Sequence, residues 1–402
     1  MAAHIRVVSQ APNQNMLVGY PGISATLPRL EGKVEIRPGT GVSAPVTIST
    51  VTVSLWRRES IHPSADSLTK KHLAAPRKEV VEIVGEKRLL YQAPPGKESE
   101  IVYAMDLPFV LFIPVGRGGE ETARRVPSAS LQLSSRTAET CYEIVVWVQQ
   151  GTIETKTFHC PVPITRYDTL STFGMYNRPE SAERITDHLV TLGINLPRWS
   201  YGPLDPVSVY IKLAPNPDWL KKATRATINK ITISIEEEVI YNHEGDEPTR
   251  KTKTLARTTQ AVGIKLGEQG YFTTLGLVFP ARDQRDNAGI LPRGKNAFPM
   301  YQVSGFTTTA SLYKIEYYLT VKAHMQSAKD ILLRQPIVVC PLDHARCKEE
   351  MEAIEQAAKD AAMINPDNPM LPAPTIIRTQ DWNALHVLGM TMVGNTRKPL
   401  IQ

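Results

Sequence analysis

Cysteine is scarce in this chain of 402 residues, with thiols only at Cys141, Cys160, Cys340 and Cys347. They are too few and too far apart for the disulfide framework of a small secreted domain. No Asn-x-Ser/Thr glycosylation sequon occurs in the sequence. Both absences favour a protein of the cytosol with reduced thiols.

Long apolar runs are also lacking. The longest, Phe109–Ile113, stops at Pro114 and is far too short to cross a bilayer. The opening residues MAAHIRVVSQ contain no apolar core of signal-peptide length, and Ala2 stands where N-myristoylation needs glycine. We therefore expect a cytoplasmic protein that meets membranes only from their surface.

Catalytic motifs are missing, since the chain has no Gly-x-Ser-x-Gly, His-Glu-x-x-His or glycine-rich phosphate loop. The run Cys340-x3-His344-x2-Cys347 supplies three soft metal ligands, but zinc requires a fourth, and two structural thiols beside a helix start are the simpler interpretation. The carboxylates of Glu236–Glu238 alternate faces on a strand, which favours a solvated edge over an acid/base pair. The sequence thus predicts no catalytic residue, no cofactor and no metal.

Charge is mildly positive, at +6, which helps an encounter with phosphorylated peptides or an anionic membrane surface. It falls short of the clustered basic signature of a nucleic-acid binder. The densest basic group is Arg250, Lys251, Lys253 and Arg257. Strand parity puts the last three on one face, so we predict a candidate anion- and cargo-binding stripe there. An ordinary charged outer face is the alternative.

Two stretches 180 positions apart are near copies, Val46–Leu55 and Ala226–Ile235. Their β-branched residues suit strands. In each, the next core-type residue follows Ile48 or Ile228 after three positions, where a strand expects two. A step of three predicts a bulge or a bend, and a shared irregularity indicates duplication.

Two further anchors indicate the same duplication. Tyr142–Val148 recurs as Tyr317–Ala323, and Cys160-Pro161 recurs as Cys340-Pro341. Each unit holds about seven short strands separated by turn signals. The 31 prolines suit strand-ending loops. The sequence therefore predicts an all-β protein of two tandem immunoglobulin-like antiparallel β-sandwiches with a short helical C-terminal tail.

The expected organisation has four segments: a first sandwich at 1–166, an inter-domain connector at 167–197, a second sandwich at 198–345, and a helix and proline-rich tail at 346–402. Asp343 is the predicted N-cap of the helix.

The two copies diverge in charge just after the repeated strand. Arg57-Arg58 comes next in the first copy, and Glu236–Glu238 comes next in the second. This divergence predicts that the two sandwiches meet different partners, or each other.

Five stretches resemble the sequence motifs of a known protein family: Leu30–Ile36, Val51–Leu55, Cys141–Ile144, Pro163–Asp168 and Tyr201–Val207. The last, Tyr-Gly-Pro-Leu-Asp-Pro-Val, is the most specific. In these motifs, and over about residues 1–345, the chain resembles fungal arrestin-domain proteins (the α-arrestin family). The resemblance implies the arrestin fold, with an N-terminal-like sandwich followed by a C-terminal-like one.

The resemblance also implies a function: a non-catalytic cytosolic adaptor that binds the cytoplasmic tails of membrane transporters or receptors. Such adaptors are recruited to the plasma membrane or endosomes and promote ubiquitin-dependent endocytosis and sorting of their cargo. Many α-arrestins reach a ubiquitin ligase through Pro-Pro-x-Tyr motifs that bind WW domains. Here Pro94-Pro95 is followed by Gly96-Lys97. A ligase would therefore be reached through a partner adaptor or another contact.

Two other functions stay open at this point. One is a retromer-subunit-like scaffold of the same fold, which would co-purify in a fixed stoichiometric complex. The other is a β-sandwich enzyme or carbohydrate-binding module, because a fold does not determine a function.

Overall fold

A computed structural model of the chain describes residues 3–10, 15–38, 45–62, 78–116, 128–133, 137–152, 154–186, 189–283, 301–381, 390–393 and 396–399. Within them, strands dominate and build two β-sandwiches in series. The predicted all-β fold class is confirmed. One parallel pair of two-residue segments interrupts the otherwise antiparallel pairing.

The first sandwich packs two sheets around one apolar core. One sheet has the order β1-β3-β7, with β2 and β4 on its flanks, and the other has the order β10-β9-β5-β6, with β8 against β9. Side chains of both sheets share the core, among them Ile36 and Val53. The strands are β1 Ala3–Val8, β2 Leu17–Val18, β3 Arg29–Pro38, β4 Val46–Ile48, β5 Thr50–Ile61, β6 Lys78–Gln92, β7 Glu100–Phe112, β8 Leu131–Gln132, β9 Ala138–Gln150 and β10 Glu154–Pro161.

The second sandwich repeats this arrangement. One sheet has the order β11-β12-β14-β17, and the other has the order β13-β22-β21-β15-β16, with β20 against β21. A four-residue helix, α1 (Leu220–Ala223), precedes β15. The strands are β11 Glu180–Thr186, β12 Val190–Leu196, β13 Ser200–Tyr201, β14 Pro206–Pro215, β15 Thr227–Tyr241, β16 Thr249–Lys265, β17 Tyr271–Val278, β20 Thr308–Thr309, β21 Tyr313–Gln326 and β22 Ile331–Val339. Two short strands, β18 Arg282–Asp283 and β19 Tyr301–Gln302, pair with each other in a separate sheet.

The predicted bend is present in both copies, in two forms. In the first copy the chain breaks at Ser49, so that β4 pairs with β7 in one sheet while β5 pairs with β6 and β9 in the other. Ser49 donates its N–H to the carbonyl of Gln149 at 2.8 Å, which satisfies the backbone at the crossing. In the second copy β15 stays in one sheet, with a register shift between Ile228 and Lys230. One extra residue in the strand thus makes the chain switch sheets in the first copy and form a bulge in the second.

Pairing registers show that the duplication extends to individual contacts. Val53 pairs with Val146 in the first sandwich, and Ile233 pairs with Val321 in the second. These are the same positions of the two copies, at the offsets that the sequence predicts. The strand orders β10-β9-β5-β6 and β22-β21-β15-β16 match in the same way.

The Cys-Pro anchor, in contrast, is a coincidence. Pro161 pairs with Glu143 on β9, and the equivalent residue of the second sandwich is Pro336, which pairs with Tyr318 on β21. Cys340 lies beyond the end of β22, whereas Cys160 lies within β10. The prediction that these two cysteines occupy equivalent places is wrong.

The predicted connector at 167–197 is wrong in its second half. Residues of β11 and β12 form half of one sheet of the second sandwich, and β12 pairs with β14 along its length. Buried Val190, Leu192 and Leu196 contribute to that core. The edge strand β11 is largely polar, and β12 contains a glycine at position 193. The hydrophobic pattern therefore does not predict these two strands.

The C-terminal helix α2 covers His344–Ala361, and Asp343 caps it by accepting the N–H of Arg346 at 2.9 Å, as predicted. Its apolar stripe includes Cys347 and Ile354, which are buried. The stripe packs on Leu170 of the connector and on Tyr20 and Ile23 of the first sandwich.

Past α2, the residues that the structure describes include three short strands. The first of them pairs with the first sandwich, and the other two pair with each other. They are β23 Thr375–Arg378, β24 Met390–Val393 and β25 Thr396–Pro399.

We predict that Ile233→Ala lowers the free energy of unfolding by about 2–5 kcal/mol, because it removes a fully buried side chain from the centre of β15 and leaves a cavity. Urea unfolding followed by circular dichroism measures the change. The matched control is Ile264→Ala on β16, whose side chain is about half exposed. Equal losses at the two positions would contradict the assigned core.

Candidate functional site

The two sandwiches meet through the ends of equivalent strands. Thr140, near the start of β9, shares a hydrogen bond of 2.7 Å with the hydroxyl of Tyr313, at the start of β21. Ile61, Leu133 and Ala138 of the first sandwich belong to the same buried apolar cluster as the core of the second. The junction is therefore partly a continuous core and partly polar.

Glu59 lies at the centre of this junction, and its side chain is fully buried. One carboxylate oxygen, Oε1, lies 3.2 Å from Arg57 Nε and accepts from Ser128 Oγ at 3.2 Å. The other, Oε2, accepts the backbone N–H groups of Ser311 at 2.6 Å and Leu312 at 3.2 Å. One carboxylate is thus satisfied on one side by the first sandwich and on the other by the second.

Arg57 makes a second link across the junction. Its guanidinium donates to Ser311 Oγ at 2.9 Å and to the carboxylate of Glu82. Burial lowers the pKa of Arg57, but Glu59, Tyr142 and Glu82 raise it by more, so the net shift is upward and the charge is held. Because a buried charge is costly without partners, the pairing is a requirement of the fold rather than an addition to it.

Tyr142 completes the group, which we call the interdomain polar cluster: Arg57, Glu59, Ser128, Tyr142 and Ser311. The Tyr142 hydroxyl donates to the carbonyl of Ser128 at 2.6 Å. Burial raises the pKa of Tyr142 well above its ordinary value, so this donor keeps its proton.

The second sandwich places a buried charge at the equivalent position. Glu237 corresponds to Arg57 in the repeat, and its Oε2 accepts from the hydroxyl of Tyr317 at 2.7 Å. A Cβ on Gly305 would lie 2.9 Å from that hydroxyl and 3.4 Å from Leu133 of the first sandwich. Opposite charges therefore occupy matching places near the junction, and of the two expectations from the divergent strand ends, the structure shows the sandwiches meeting each other.

Sequence reasoning did not assign this cluster, although a signal was present. Leu55, Arg57, Glu59 and Ile61 share one parity on β5, and the apolar members face the core. Two charged residues at core parity indicate a buried ion pair. The partner Ser311 is 252 residues away, and strand periodicity does not predict that contact.

The acidic run was predicted to be a solvated edge, and this is wrong. The carboxylates do alternate, but Glu237 and Glu238 are buried and β15 is a central strand. Glu238 and Glu236 face outward to Arg334, at 3.0 and 3.4 Å. Each carboxylate of the run therefore has a structural partner.

The predicted basic stripe does not lie on one face. Lys253 pairs with Glu237 and Arg257 with Ser234, across a register shift between Ile235 and Glu236. Directly opposed residues share a face, so Lys253 lies on the inner face of the sheet with Glu237. Arg257 lies on the outer face with Ser234. A bulge of one residue reverses the parity that the sequence implies.

The four basic residues also differ in their contacts. Arg250 is 3.5 Å from Glu238 Oε1, and the Lys251 ammonium is 5.8 Å from the ring centre of Tyr241. Lys253 and Arg257 are exposed, and within the described ranges neither has an ion pair. They are the two members that remain available to an anionic partner.

The specific motif Tyr201–Val207 cradles the start of α2. Asp205 is buried and accepts the N–H of Gly202 at 2.8 Å and that of His344 at 3.1 Å. A Cβ on Gly202 would lie 1.8 Å from the carbonyl oxygen of Leu342, so this close approach requires glycine. The motif therefore attaches the C-terminal helix to the second sandwich.

The cysteine–histidine run holds no metal-binding geometry. Cys340 and Cys347 are adjacent, but His344 Nδ1 is hydrogen-bonded to Ser171 Oγ at 2.8 Å. Among the residues that the structure describes, no three His, Cys, Asp or Glu side chains are grouped to hold a metal ion.

The strand β23 adds to an edge of the first sandwich. It pairs antiparallel with β7, from Asp106 to Val102, and Arg378 lies 2.9 Å from Glu100. The hydrogen bond from Arg378 lowers the pKa of Glu100 below its ordinary value of 4.5, partial burial opposes this, and the hydroxyl of Tyr91 lowers it further. An extended segment thus occupies this edge through backbone pairing and one charged contact.

Helices long and apolar enough to cross a membrane do not occur in the described part of the chain.

We predict that Glu59→Gln lowers the free energy of unfolding by about 3–5 kcal/mol. The amide must turn an NH2 group toward donors on one side of the junction and leaves Arg57 with less compensation. Chemical denaturation measures the loss. The matched control is Glu79→Gln, which alters an exposed pair with Arg58 at 3.3 Å and is expected to cost under about 1 kcal/mol. A variant as stable as this control would refute the role given to Glu59.

A second prediction concerns β23. Glu100→Gln weakens the contact with Arg378, so amide hydrogens of Thr375–Arg378 should exchange roughly fivefold faster, as expected for about 1 kcal/mol from a partly exposed charged hydrogen bond. Mass-detected hydrogen exchange measures this, with Glu98→Gln as control, since Glu98 is exposed.

The sign of the pH effect on β23 is set by the lowered pKa of Glu100. Stabilisation by the carboxylate is complete above about pH 4.5 and is lost as the pH falls through the lower folded-state pKa. Exchange in β23 that is indifferent to both the substitution and acid would count against this contact.

A comparison with protein-family models identifies a similarity in the second half of the chain. Residues 186–344 match the family model of the arrestin (or S-antigen) C-terminal domain. A search of curated proteins found no match. The matched range begins at the last residue of β11 and ends at the first residue of α2, so it covers most of the second sandwich. The second sandwich is therefore similar to an arrestin C-terminal domain, and this similarity supports an arrestin-domain protein.

Proposed function

We propose that the chain is a non-catalytic adaptor of the cytosol that binds the cytoplasmic tails of membrane transporters or receptors and promotes their ubiquitin-dependent endocytosis and sorting. The observation that carries the proposal is the arrestin C-terminal match on a protein with two sandwiches. An arrestin domain suggests a trafficking adaptor in general. We further propose that the protein is of fungal origin and belongs to the α-arrestin subfamily.

The junction between the sandwiches supports an adaptor with a fixed surface. An adaptor that reads a cargo tail benefits from preorganised binding elements, because ordering them on binding costs affinity. The interdomain polar cluster ties the end of β5 to the backbone before β21. Both sandwiches thus present their edges in a defined relative position.

Strand addition is the proposed mode of cargo recognition. Extended peptides bind open sheet edges through main-chain hydrogen bonds, and the flanking side chains supply specificity. The pairing of β23 with β7 is an example of such an addition within the chain itself. The edge strand β16 offers another site, since it is 17 residues long and pairs only with β15 among the described strands.

Lys253 and Arg257 are the proposed charged contacts on β16. Their side chains lie on opposite faces of the strand and have no ion pair among the described residues. A segment added to this edge would therefore have one cation above it and one below it. Acidic or phosphorylated tails, and an anionic membrane surface beside them, fit these charges.

The chain is proposed to reach a ubiquitin ligase through a partner adaptor or another contact. Its single Pro-Pro pair, Pro94-Pro95, is followed by Gly96-Lys97 and offers no Pro-Pro-x-Tyr motif to a WW domain.

Proximity labelling in cells tests the proposal, with the full chain compared with the double variant Lys253→Glu, Arg257→Glu. We expect the full chain to label transporters or receptors together with endocytic and ubiquitin-ligase components, and the variant to lose most of the cargo signal. The matched control is Lys221→Glu, Lys222→Glu, which reverses two exposed charges on α1. Its labelling should match that of the full chain.

Two results would contradict the proposal. If the full chain labels no membrane protein, the adaptor function fails. If it is recovered instead in a complex of fixed stoichiometry with a constant set of partners, a retromer-subunit-like scaffold is the better description.

A further inference from the structure

Two buried cysteines lie in contact beneath the C-terminal helix. Cys340 comes directly after the last residue of β22, and Cys347 lies in the first turn of α2. Their Sγ atoms are 4.0 Å apart, and both side chains are fully buried. Cys141 and Cys160 differ from this pair, because both are partly exposed on β9 and β10.

The geometry of the pair suits a disulfide. A disulfide bond is about 2.05 Å long, so the two sulfurs, 4.0 Å apart, need to approach by about 2 Å. Both thiols already converge on one acceptor, the carbonyl of Leu342, at 2.9 Å from Cys340 Sγ and 3.7 Å from Cys347 Sγ. The bond would close a short loop between the end of β22 and the start of α2.

The surroundings make the two thiols unequal. Cys347 faces the positive end of the helix dipole, which favours a thiolate. Its hydrogen bond with Cys340 lowers the pKa of Cys347, burial opposes this, and Ser171 lowers it further. The same hydrogen bond with Cys347 and burial raise the pKa of Cys340, so that Cys340 keeps its proton.

We propose that Cys340 and Cys347 are a redox modification site, a dithiol that hydrogen peroxide converts to a disulfide. The Cys347 thiolate attacks one oxygen of the peroxide, the O–O bond breaks, and the departing hydroxide takes up a proton and leaves as water. This leaves a sulfenic acid on Cys347. The sulfur of Cys340 then attacks the sulfenic sulfur, the S–O bond breaks, and the hydroxide leaves with the Cys340 proton as a second water. Two thiols and one peroxide yield one disulfide and two waters.

The position of the pair determines what the bond would change. The helix α2 packs on Leu170 of the connector and on Ile23 of the first sandwich. A disulfide at its first turn covalently links the helix start to the second sandwich, where Asp205 already holds it by one hydrogen bond. Oxidation therefore stabilises the packing of α2 over the connector. Peroxide is small enough to enter when the first turn opens.

The test treats the full chain with graded hydrogen peroxide and maps thiols by mass spectrometry. Trypsin cleaves after Arg346, so the predicted disulfide joins the peptide that contains Cys340 to Cys347-Lys348. We expect this cross-linked product, with the loss of two hydrogen atoms and reversal by dithiothreitol. In the oxidised protein, amide exchange in α2 should slow by roughly tenfold or more.

Two variants test the assigned roles. In Cys340→Ser, the sulfenic acid on Cys347 has no resolving thiol, so dimedone should trap it there. In Cys347→Ser, the dimedone adduct on Cys340 should be about tenfold lower or absent. Cys141 and Cys160 serve as internal controls for the peroxide dose. The proposal is overturned if these two are oxidised while Cys340 and Cys347 stay a dithiol, or if dimedone labels Cys340 as strongly as Cys347.

Discussion

A buried carboxylate, that of Glu59, accepts hydrogen bonds from both halves of this protein. Glu59 has no exposed surface, and its charge is stable there only because each oxygen has donors. Oε1 is satisfied from the first sandwich, and Oε2 by the backbone of Ser311 and Leu312 in the second. Separation of the sandwiches would leave one oxygen of a buried charge unpaired. The relative position of the two sandwiches therefore depends on this residue as well as on the apolar contacts of the junction.

The duplication explains why charges meet at this place. Equivalent strands of the two copies end at the junction, and the position that holds Arg57 in one copy holds Glu237 in the other, each opposite a buried tyrosine. If the positions of Arg57 and Glu237 were both apolar, the ends of the two equivalent strands would be chemically alike. Opposite charges at matched positions distinguish the two copies, and the backbone donors of Ser311 and Leu312 give Glu59 one defined partner segment.

Hydrogen bonds also fix the positions of the C-terminal segments. Asp205, in the motif Tyr201–Val207, fixes the start of α2, and the helix then covers the connector. Further along, β23 returns to the first sandwich and pairs with β7. The tail therefore links second sandwich, connector and first sandwich, and a proposed disulfide at the base of α2 acts on the first of these links.

The sequence predicts the fold well because its signals are local. The step of three after Ile48 and Ile228 is visible in the pattern, and the paired registers of the two copies confirm it. Where one residue changes the parity, pattern reading fails: a bulge near Leu255 places Lys253 and Arg257 on opposite faces.

Edge strands and distant contacts are harder to predict. The strand β11 has few apolar residues, because pairing with β12 supports it more than burial does. Glu59 has the core parity of β5, but its meaning depends on backbone donors some 250 residues later. Sequence reasoning therefore missed the candidate site, although the parity of its charged residues was a usable signal.

Backbone amide exchange at Ser311 and Leu312 measures whether Glu59 couples the two sandwiches. These two N–H groups donate to Glu59 Oε2 across the junction. If Glu59 couples the sandwiches, Glu59→Gln should accelerate exchange at these two amides by at least about tenfold more than at the centre of β15 and β21, whose amides exchange through global unfolding. Unchanged protection at Ser311 and Leu312 in the variant would show that Glu59 does not couple the sandwiches.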